Sequence, residues 1–93
     1  MPYTIAHDLA MNRFQTVLEG QTAVLDYTRD GSRVVMTHVG VPPPIEGRGV
    51  ASVLTKAALD WARTEQLGVV AQCPYVAAWI RRHPDYLDLL GPR

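Results

Sequence analysis

The sequence predicts a mixed α/β domain of the α+β kind, in which an antiparallel sheet is followed by a helix, a strand and a helix. Over the first part of the chain, apolar and polar residues alternate, which is the period of half-buried strands. From Val50 onward, apolar residues recur every three or four positions, which is the period of an amphipathic helix. A chain of 93 residues has room for one core, so we expect residues 1–93 to form a single domain.

Three strands are expected before the first helix. Residues 13–18 alternate in character and end in a Glu-Gly turn signal. Residues 23–28 are rich in β-branched and aromatic side chains, and an Asp-Gly pair after them predicts a hairpin into residues 33–41. Gly40, late in the third strand, can mark a β-bulge or a close approach of another backbone.

The first helix is expected to begin at Val50, after three consecutive prolines end the third strand. Its apolar stripe includes Trp61, which we therefore expect in the core. Gly68 is well placed to cap its C-terminus, because glycine adopts the left-handed conformation at little cost.

A short strand and a second helix complete the predicted order. Residues 69–73 form an apolar run suited to a buried strand. Pro74 can occupy the first turn of a helix, and Pro84 would end it. Trp79 lies on the apolar stripe of this helix, and residues 85–90 are expected to form a last helical turn.

Charge and cysteine content exclude several classes of protein. Nine basic and nine acidic residues cancel, so no net field favours nucleic acid or an anionic membrane. Cys73 is the single cysteine, and no pair of ligands has the spacing of a metal site, so we expect no metal and a reducing compartment. The first fifteen residues resemble neither a secretion signal nor a membrane anchor, which favours a cytoplasmic protein.

The segment from Glu46 to Ser52 carries the most chemical information. Two glycines flank an arginine where the helix begins, and small residues fill its first turn. A first helical turn has backbone N–H groups without internal partners and a partial positive charge, so a phosphate can bind there. A Gly-x-Gly sequence can also simply shape a loop. The segment lacks the Gly-Lys-Ser/Thr of a Walker loop and the third glycine of a dinucleotide fingerprint.

The glycine segment resembles the Gln/Arg-x-x-Gly-x-Gly/Ala motif with which GNAT acetyltransferases bind the pyrophosphate of coenzyme A, with Glu46 at its first position. The likeness covers most of the chain and is closest to a subfamily of very short GNAT-like proteins. Val39 stands where that subfamily usually has threonine. The features that carry the likeness are His7-Asp8 before Arg13-Phe14, residues 23–27, His38 with Val41-Pro42, residues 46–51, residues 73–76 and residues 82–86.

The resemblance implies a truncated GNAT fold with an antiparallel sheet, a pyrophosphate-binding helix, a splayed strand and a C-terminal helix. It also implies acetyl-CoA as co-substrate, with the pantetheine arm along the third strand and beside the next one. The helices that wall the acceptor site in longer members have no counterpart here, so the acceptor would bind an open surface or a partner protein. The residues then expected at the coenzyme are Thr37, His38, Val39, Gly40, Val41, Glu46, Gly47, Arg48, Gly49, Val50, Ala51, Ser52 and Cys73.

Two side chains are candidates for catalysis. His38 can act as a base for the attacking amine because histidine titrates near neutrality, although many sheet histidines are simply packed and hydrogen-bonded. Cys73 matches a cysteine that lies near the coenzyme thiol in the subfamily, which makes it a candidate acyl carrier. A lone cysteine on a strand is also commonly a small core residue. Tyr75 or Tyr86 could protonate the leaving thiolate, and the sequence assigns this role to neither.

The sequence therefore predicts an N-acetyltransferase that moves an acetyl group from acetyl-CoA to an amine. The alternative is a non-catalytic acyl-CoA-binding or protein-interaction module that keeps the phosphate loop without turnover. A nucleic-acid-binding domain is disfavoured by the neutral charge and by the lack of an aromatic and basic stripe. The sequence leaves open the acceptor, the oligomeric state and the choice between direct transfer and a Cys73 acyl-enzyme.

Overall fold

The computed structural model describes residues 3–90 and has the predicted element order, with one additional strand at its start. The strands are β1 (Ala6–Asp8), β2 (Arg13–Leu18), β3 (Gln21–Asp30), β4 (Arg33–Gly40) and β5 (Gly68–Ala71). The helices are α1 (Val50–Thr64) and α2 (Pro74–Arg82), with short 3₁₀ segments at Pro43–Ile45 and Pro84–Leu90. The mixed α/β fold is therefore confirmed.

The strands form one sheet in the order β1-β2-β3-β4-β5. The antiparallel part of the sheet consists of the three predicted strands and β1, and β5 adds to it parallel to β4 because α1 crosses back between them. β1 was not predicted. It pairs only from Ala6 opposite Gln15 to Asp8 opposite Arg13, which is too short for a recognisable alternation.

The helices cover one face of the sheet. On this face, Phe14, Leu25 and Met36 are buried in a single core that also includes side chains of both helices and of the last 3₁₀ segment. The other face is exposed, as Val17 shows with 60% of its surface accessible. We call this other face the open face. Its residues include, from strand alternation and register, Asp8, Arg13, Gln15, Val17, Val24, Asp26, Thr28, Asp30, Val35, His38, Gly40 and Val70.

Helix α1 ends earlier than predicted, and Gly68 does not cap it. Gln66 takes the left-handed conformation at φ +58°, and its N–H donates to the carbonyl of Arg63. The N–H of Leu67 donates to the carbonyl of Ala62 at 2.8 Å, which completes a Schellman motif. Gly68 instead begins β5. Within residues 3–90, no helix is long and apolar enough to cross a membrane.

The two tryptophans differ in burial. Trp79 is 2% exposed, and its indole N–H donates to Ser52 Oγ at 2.8 Å, which ties α2 to the first turn of α1. Trp61 packs against the core but is only partly buried, so the prediction of a core position was only partly correct. It lies at the rim of the core beside His7 and Tyr27, at ring-centroid distances of 4.7 and 5.1 Å.

Candidate functional site

A cavity of about 380 Å³ opens where β4 ends and α1 begins. Most of the residues predicted at the coenzyme line it, whereas five do not: Thr37, His38, Gly40, Arg48 and Cys73. The lining residues are Val39, Val41, Ile45, Glu46, Gly47, Gly49, Val50, Ala51, Ser52 and Tyr75. The structure thus brings together the end of the third predicted strand and the glycine segment.

The two glycines of the segment are required by the backbone. Gly47 and Gly49 have φ of +80° and +76°, a region that side chains other than glycine rarely adopt. A Cβ at either position would meet no atom within 4 Å, so both glycines border open space. Gly49 is the N-cap of α1 and provides no side-chain cap. The first-turn N–H groups and the positive end of the helix dipole therefore face the cavity, an arrangement suited to holding an anion.

The side chain of Arg48 is turned away from the cavity. Its guanidinium forms an ion pair with Glu19 through two hydrogen bonds, and this pairing lowers the pKa of Glu19. The carbonyl of Arg48 accepts a hydrogen bond from Tyr3 Oη at 2.6 Å. Arg48 therefore attaches the glycine loop to the β2–β3 turn and to the segment before β1.

Strand β4 carries a β-bulge at Thr37. Tyr27 pairs with Met36, whereas Asp26 pairs with His38, so Thr37 has no opposing residue on β3. Of the two readings of Gly40, the bulge is therefore wrong, since Gly40 pairs in register with Val24. The Thr37 hydroxyl donates to the carbonyl of Asp26 at 3.2 Å. A bulge shifts the alternation of side chains by one residue. His38 therefore lies on the open face, and Val39 faces the cavity.

A gap opens between β4 and β5 just beyond this bulge. Their ladder ends where Met36 pairs with Ala71, and one further bond runs from the Cys73 N–H to the Met36 carbonyl at 2.9 Å. Pro74 then begins α2, while β4 continues to Gly40. The two chains diverge from this point, as predicted for a splayed strand.

The structure separates the two catalytic candidates. His38 is exposed on the open face, and its ring leans along the strand over Gly40, where a Cβ would stand 2.8 Å from Nε2. Cys73 is 7% exposed, belongs to the core and is the N-cap of α2. Its side chain makes no capping hydrogen bond with the helix. Because the two side chains lie on opposite sides of the sheet, His38 cannot act as a base that activates the Cys73 thiol.

One tyrosine reaches the cavity and one does not. Tyr75 lines it from the first turn of α2. The sequence signal for this position is that Tyr75 directly follows Pro74, the residue that begins the helix. Tyr86 donates its hydroxyl to Asp60 Oδ1 at 2.8 Å on the outer side of α1, and burial raises its pKa. Among residues 3–90, no group of three or more histidine, cysteine and acidic side chains could hold a metal ion.

Comparisons with known proteins agree with this geometry. The model of the GCN5-related N-acetyltransferase family matches residues 13–89. Protein NATD1 from Mus musculus is 36% identical over 96 residues, which cover 98% of this chain and 87% of that protein. Protein NATD1 from Xenopus tropicalis is 34% identical over 93 residues, with coverages of 95% and 85%.

A solved structure has the same fold. The solution NMR structure of a GCN5-like protein from Staphylococcus aureus superposes with a TM-score of 0.75 at 25% sequence identity. The match covers 97% of this chain and 89% of the other. The match of the family model over most of the chain, the NATD1 relatives and the shared fold lead to one conclusion. The chain belongs to the GCN5-related N-acetyltransferase family.

Proposed function

We propose that the protein binds acetyl-CoA and transfers its acetyl group to an amine, with residues 1–93 working as one domain in the cytoplasm. The observation that carries the proposal is the cavity at the N-terminus of α1, with its uncapped first turn and its two glycines. A diphosphate needs donors and positive potential without steric obstruction, and the cavity supplies both. Family membership supports the same ligand.

The coenzyme then has a defined path. Its pyrophosphate accepts hydrogen bonds from the N–H groups of the first turn, which ends at Ser52. The Ser52 hydroxyl accepts the Trp79 indole N–H, so its own proton remains available for a phosphate oxygen. The pantetheine arm follows β4 along residues 37–41 into the gap beside β5, which brings the thioester to the bulge at Thr37.

The reaction joins the amine nitrogen to the thioester carbonyl carbon and breaks the C–S bond. One proton leaves the acceptor ammonium before attack, and His38 is the exposed group on β4 that can take it. A second proton leaves the nitrogen as the amide forms and ends on the departing thiolate, with Tyr75, a phenol that lines the cavity, as the group that passes it on. The products are an N-acetyl amide and coenzyme A.

A covalent route through Cys73 remains the second mechanism. The burial of its side chain disfavours this route, whereas its position where β4 and β5 diverge, with its N–H bonded to the Met36 carbonyl, favours it. Incubation with acetyl-CoA distinguishes the two. An acyl-enzyme gives a hydroxylamine-sensitive acetyl adduct that Cys73→Ala abolishes, whereas direct transfer lets Cys73→Ala keep most of its turnover.

Titration with acetyl-CoA, followed by intact-protein mass spectrometry and an assay with a panel of amines, tests the function. Binding with turnover of an amine is the expected result. Binding without turnover of any amine would establish the alternative, a non-catalytic acyl-CoA-binding or interaction module. Absence of binding at millimolar coenzyme would refute the proposal.

A substitution at Ala51 tests the placement of the pyrophosphate. Ala51 lines the cavity from the first turn of α1, where a glutamate keeps the helix but adds bulk and like charge. Ala51→Glu should weaken coenzyme A binding at least about tenfold in calorimetry, since a charged contact contributes about 1.5–3 kcal/mol. Ala51→Ser, which stays small and neutral, should bind within about twofold of the parent. Equal affinities for both variants would move the phosphate elsewhere. Gly49 is a poorer test site because its positive φ strains any replacement.

A further inference from the structure

The gap between β4 and β5 meets the cavity on the helical side, so with the coenzyme in that cavity an acceptor would enter from the other side. On the helical side, Val76, Trp79 and Ile80 of α2 are buried in the core. On the open face, no other element within residues 3–90 covers the sheet, and Val70 of β5 is 36% exposed. A thioester held in the gap is therefore accessible to an acceptor from the open face.

A row of charged residues crosses the open face at this point. Asp8, Arg13, Asp26 and His38 are direct cross-strand neighbours on β1, β2, β3 and β4. Arg13 Nε donates to Asp26 Oδ1 at 2.6 Å, and Arg13 Nη2 lies 3.5 Å from Asp26 Oδ2. Two carboxylates and one guanidinium leave the row with a net negative charge. Its potential therefore favours a cationic acceptor over a neutral or anionic one.

The row also places a carboxylate beside the candidate base. Directly opposed residues have Cβ atoms about 4.5–5.5 Å apart, so Asp26 is the immediate neighbour of His38. Arg13 holds the Asp26 carboxylate in one orientation, with about a quarter of the Asp26 side chain still exposed (27%). A primary ammonium that binds this carboxylate lies within reach of the imidazole.

Apolar surface flanks the same position. Val35 and Val70 are paired across β4 and β5 on the open face, and both are partly accessible. Such a surface suits methylene groups and offers no partner for a polar backbone. A carboxylate, a base and an apolar flank together define the acceptor.

Resting on the proposed function, we infer that the acceptor is a primary alkylammonium ion with an unbranched chain, bound on the open face with its nitrogen at Asp26 and His38. A protein lysine side chain and a polyamine share this chemistry. Asp26 is a positioning residue for the ammonium, and Gly40 is a positioning residue for His38, because any side chain at Gly40 would displace the imidazole.

The first test is an NMR titration of the coenzyme A complex with n-butylamine. We expect backbone amide shifts on the open-face strands, centred on Asp26 and His38, and none with butyramide, which lacks the charge. N-acetyl-lysine methylamide and spermidine then show which source of alkylammonium binds more tightly. Shifts confined to the helices, or no shift with any of the amines, would overturn the inference.

The second test compares Asp26→Asn with Asp30→Asn, a control on the same strand and outside the row. Asp26→Asn should raise KM for butylamine about tenfold, as for a lost charged contact, with coenzyme affinity unchanged. Asp30→Asn should leave KM within about twofold. Equal KM values for the two variants would refute the role of Asp26.

Asp26 also forms an ion pair with Arg13, so thermal unfolding of Asp26→Asn is measured to detect a loss of stability. Gly40→Ala provides a second variant that leaves this ion pair intact. Gly40→Ala should lower kcat about tenfold with KM for butylamine little changed, since only the base moves. An unchanged kcat would contradict the role assigned to Gly40. If the parent binds no coenzyme A, the proposed function fails. If it binds coenzyme A but no alkylammonium reaches the open face, only this inference fails.

Discussion

His7 is a titratable side chain held inside a group of aromatic rings. Its ring stacks on Phe14 at a centroid distance of 3.9 Å, and its Nε2 shares a hydrogen bond with Tyr27 Oη at 2.7 Å. Burial lowers the pKa of His7 below its ordinary value of 6.5, and the charge of Asp8 opposes this only in part. The folded protein therefore favours the neutral imidazole.

This shift predicts a loss of stability in mild acid. Near pH 6 the unfolded chain binds more protons at His7 than the folded protein does, so unfolding becomes easier as pH falls. The contribution is fully present above about pH 6.5 and is lost as pH drops toward the lower folded pKa. Melting temperatures of the parent and of His7→Phe between pH 8 and pH 5 measure it. A parent as insensitive to acid as His7→Phe would contradict the prediction.

Burial predicts that Trp79 contributes more to stability than Trp61. Trp79→Ala removes a buried indole and its bond to Ser52, which should cost about 3–5 kcal/mol in free energy of unfolding. Trp61 lies at the rim, so Trp61→Ala should cost only about 1–2 kcal/mol. Urea unfolding of both variants measures the two losses. Equal losses would show that the rim position is as tightly packed as the core.

At the scale of elements, the backbone just after α1 is strained at one residue, and a substitution can relieve this strain. Gln66 holds φ +58°, a conformation that costs a residue with a Cβ about 1 kcal/mol relative to glycine. Gln66→Gly should therefore raise the free energy of unfolding by about 0.5–1 kcal/mol. Glu65→Gly, at φ −86°, is the matched control and should lower it. A destabilised Gln66→Gly would mean that the Gln66 side chain makes a stabilising contribution of its own.

The bulge of β4 links local structure to the proposed chemistry. An unbroken ladder would continue the alternation of Val34 and Met36 and would turn His38 into the core. The single extra residue Thr37 turns it to the open face instead and directs Val39 to the cavity. Because of the bulge at Thr37, the proposed base His38 and the cavity-lining Val39 lie on opposite faces of the sheet.

At the scale of the whole molecule, sheet order predicts a gradient of protection. β3 and β4 lie between other strands and under the helices, whereas β1 is a three-residue edge strand. Amide hydrogen exchange should be slowest in β3 and β4 and fastest in β1, because edge pairing opens without disturbing the core. Exchange followed by NMR in the free protein tests this order. Protection of His7 equal to that of Leu25 would contradict it.

Much of this architecture could be predicted because it depends on neighbours in sequence. The alternation of residues 13–18 and the helical period from Val50 reflect how a strand or a helix repeats its own side chains. The glycines before α1 are local in the same sense, since a positive φ is a property of one residue. The predicted strands, helices and loop are therefore found close to their expected places, and the likeness to short GNAT proteins agrees with the family match.

The remaining features depend on residues far apart in sequence, and only the tertiary structure decided them. The bulge belongs at Thr37 because of the register between β3 and β4, which no local pattern specifies. Arg48 turns to Glu19, and Trp61 stays at the rim, because of what lies beside them after folding. The sequence by itself thus determined the elements, the glycine loop and the family. Strand pairing determined which face each side chain occupies, because register and burial arise from contacts between distant segments.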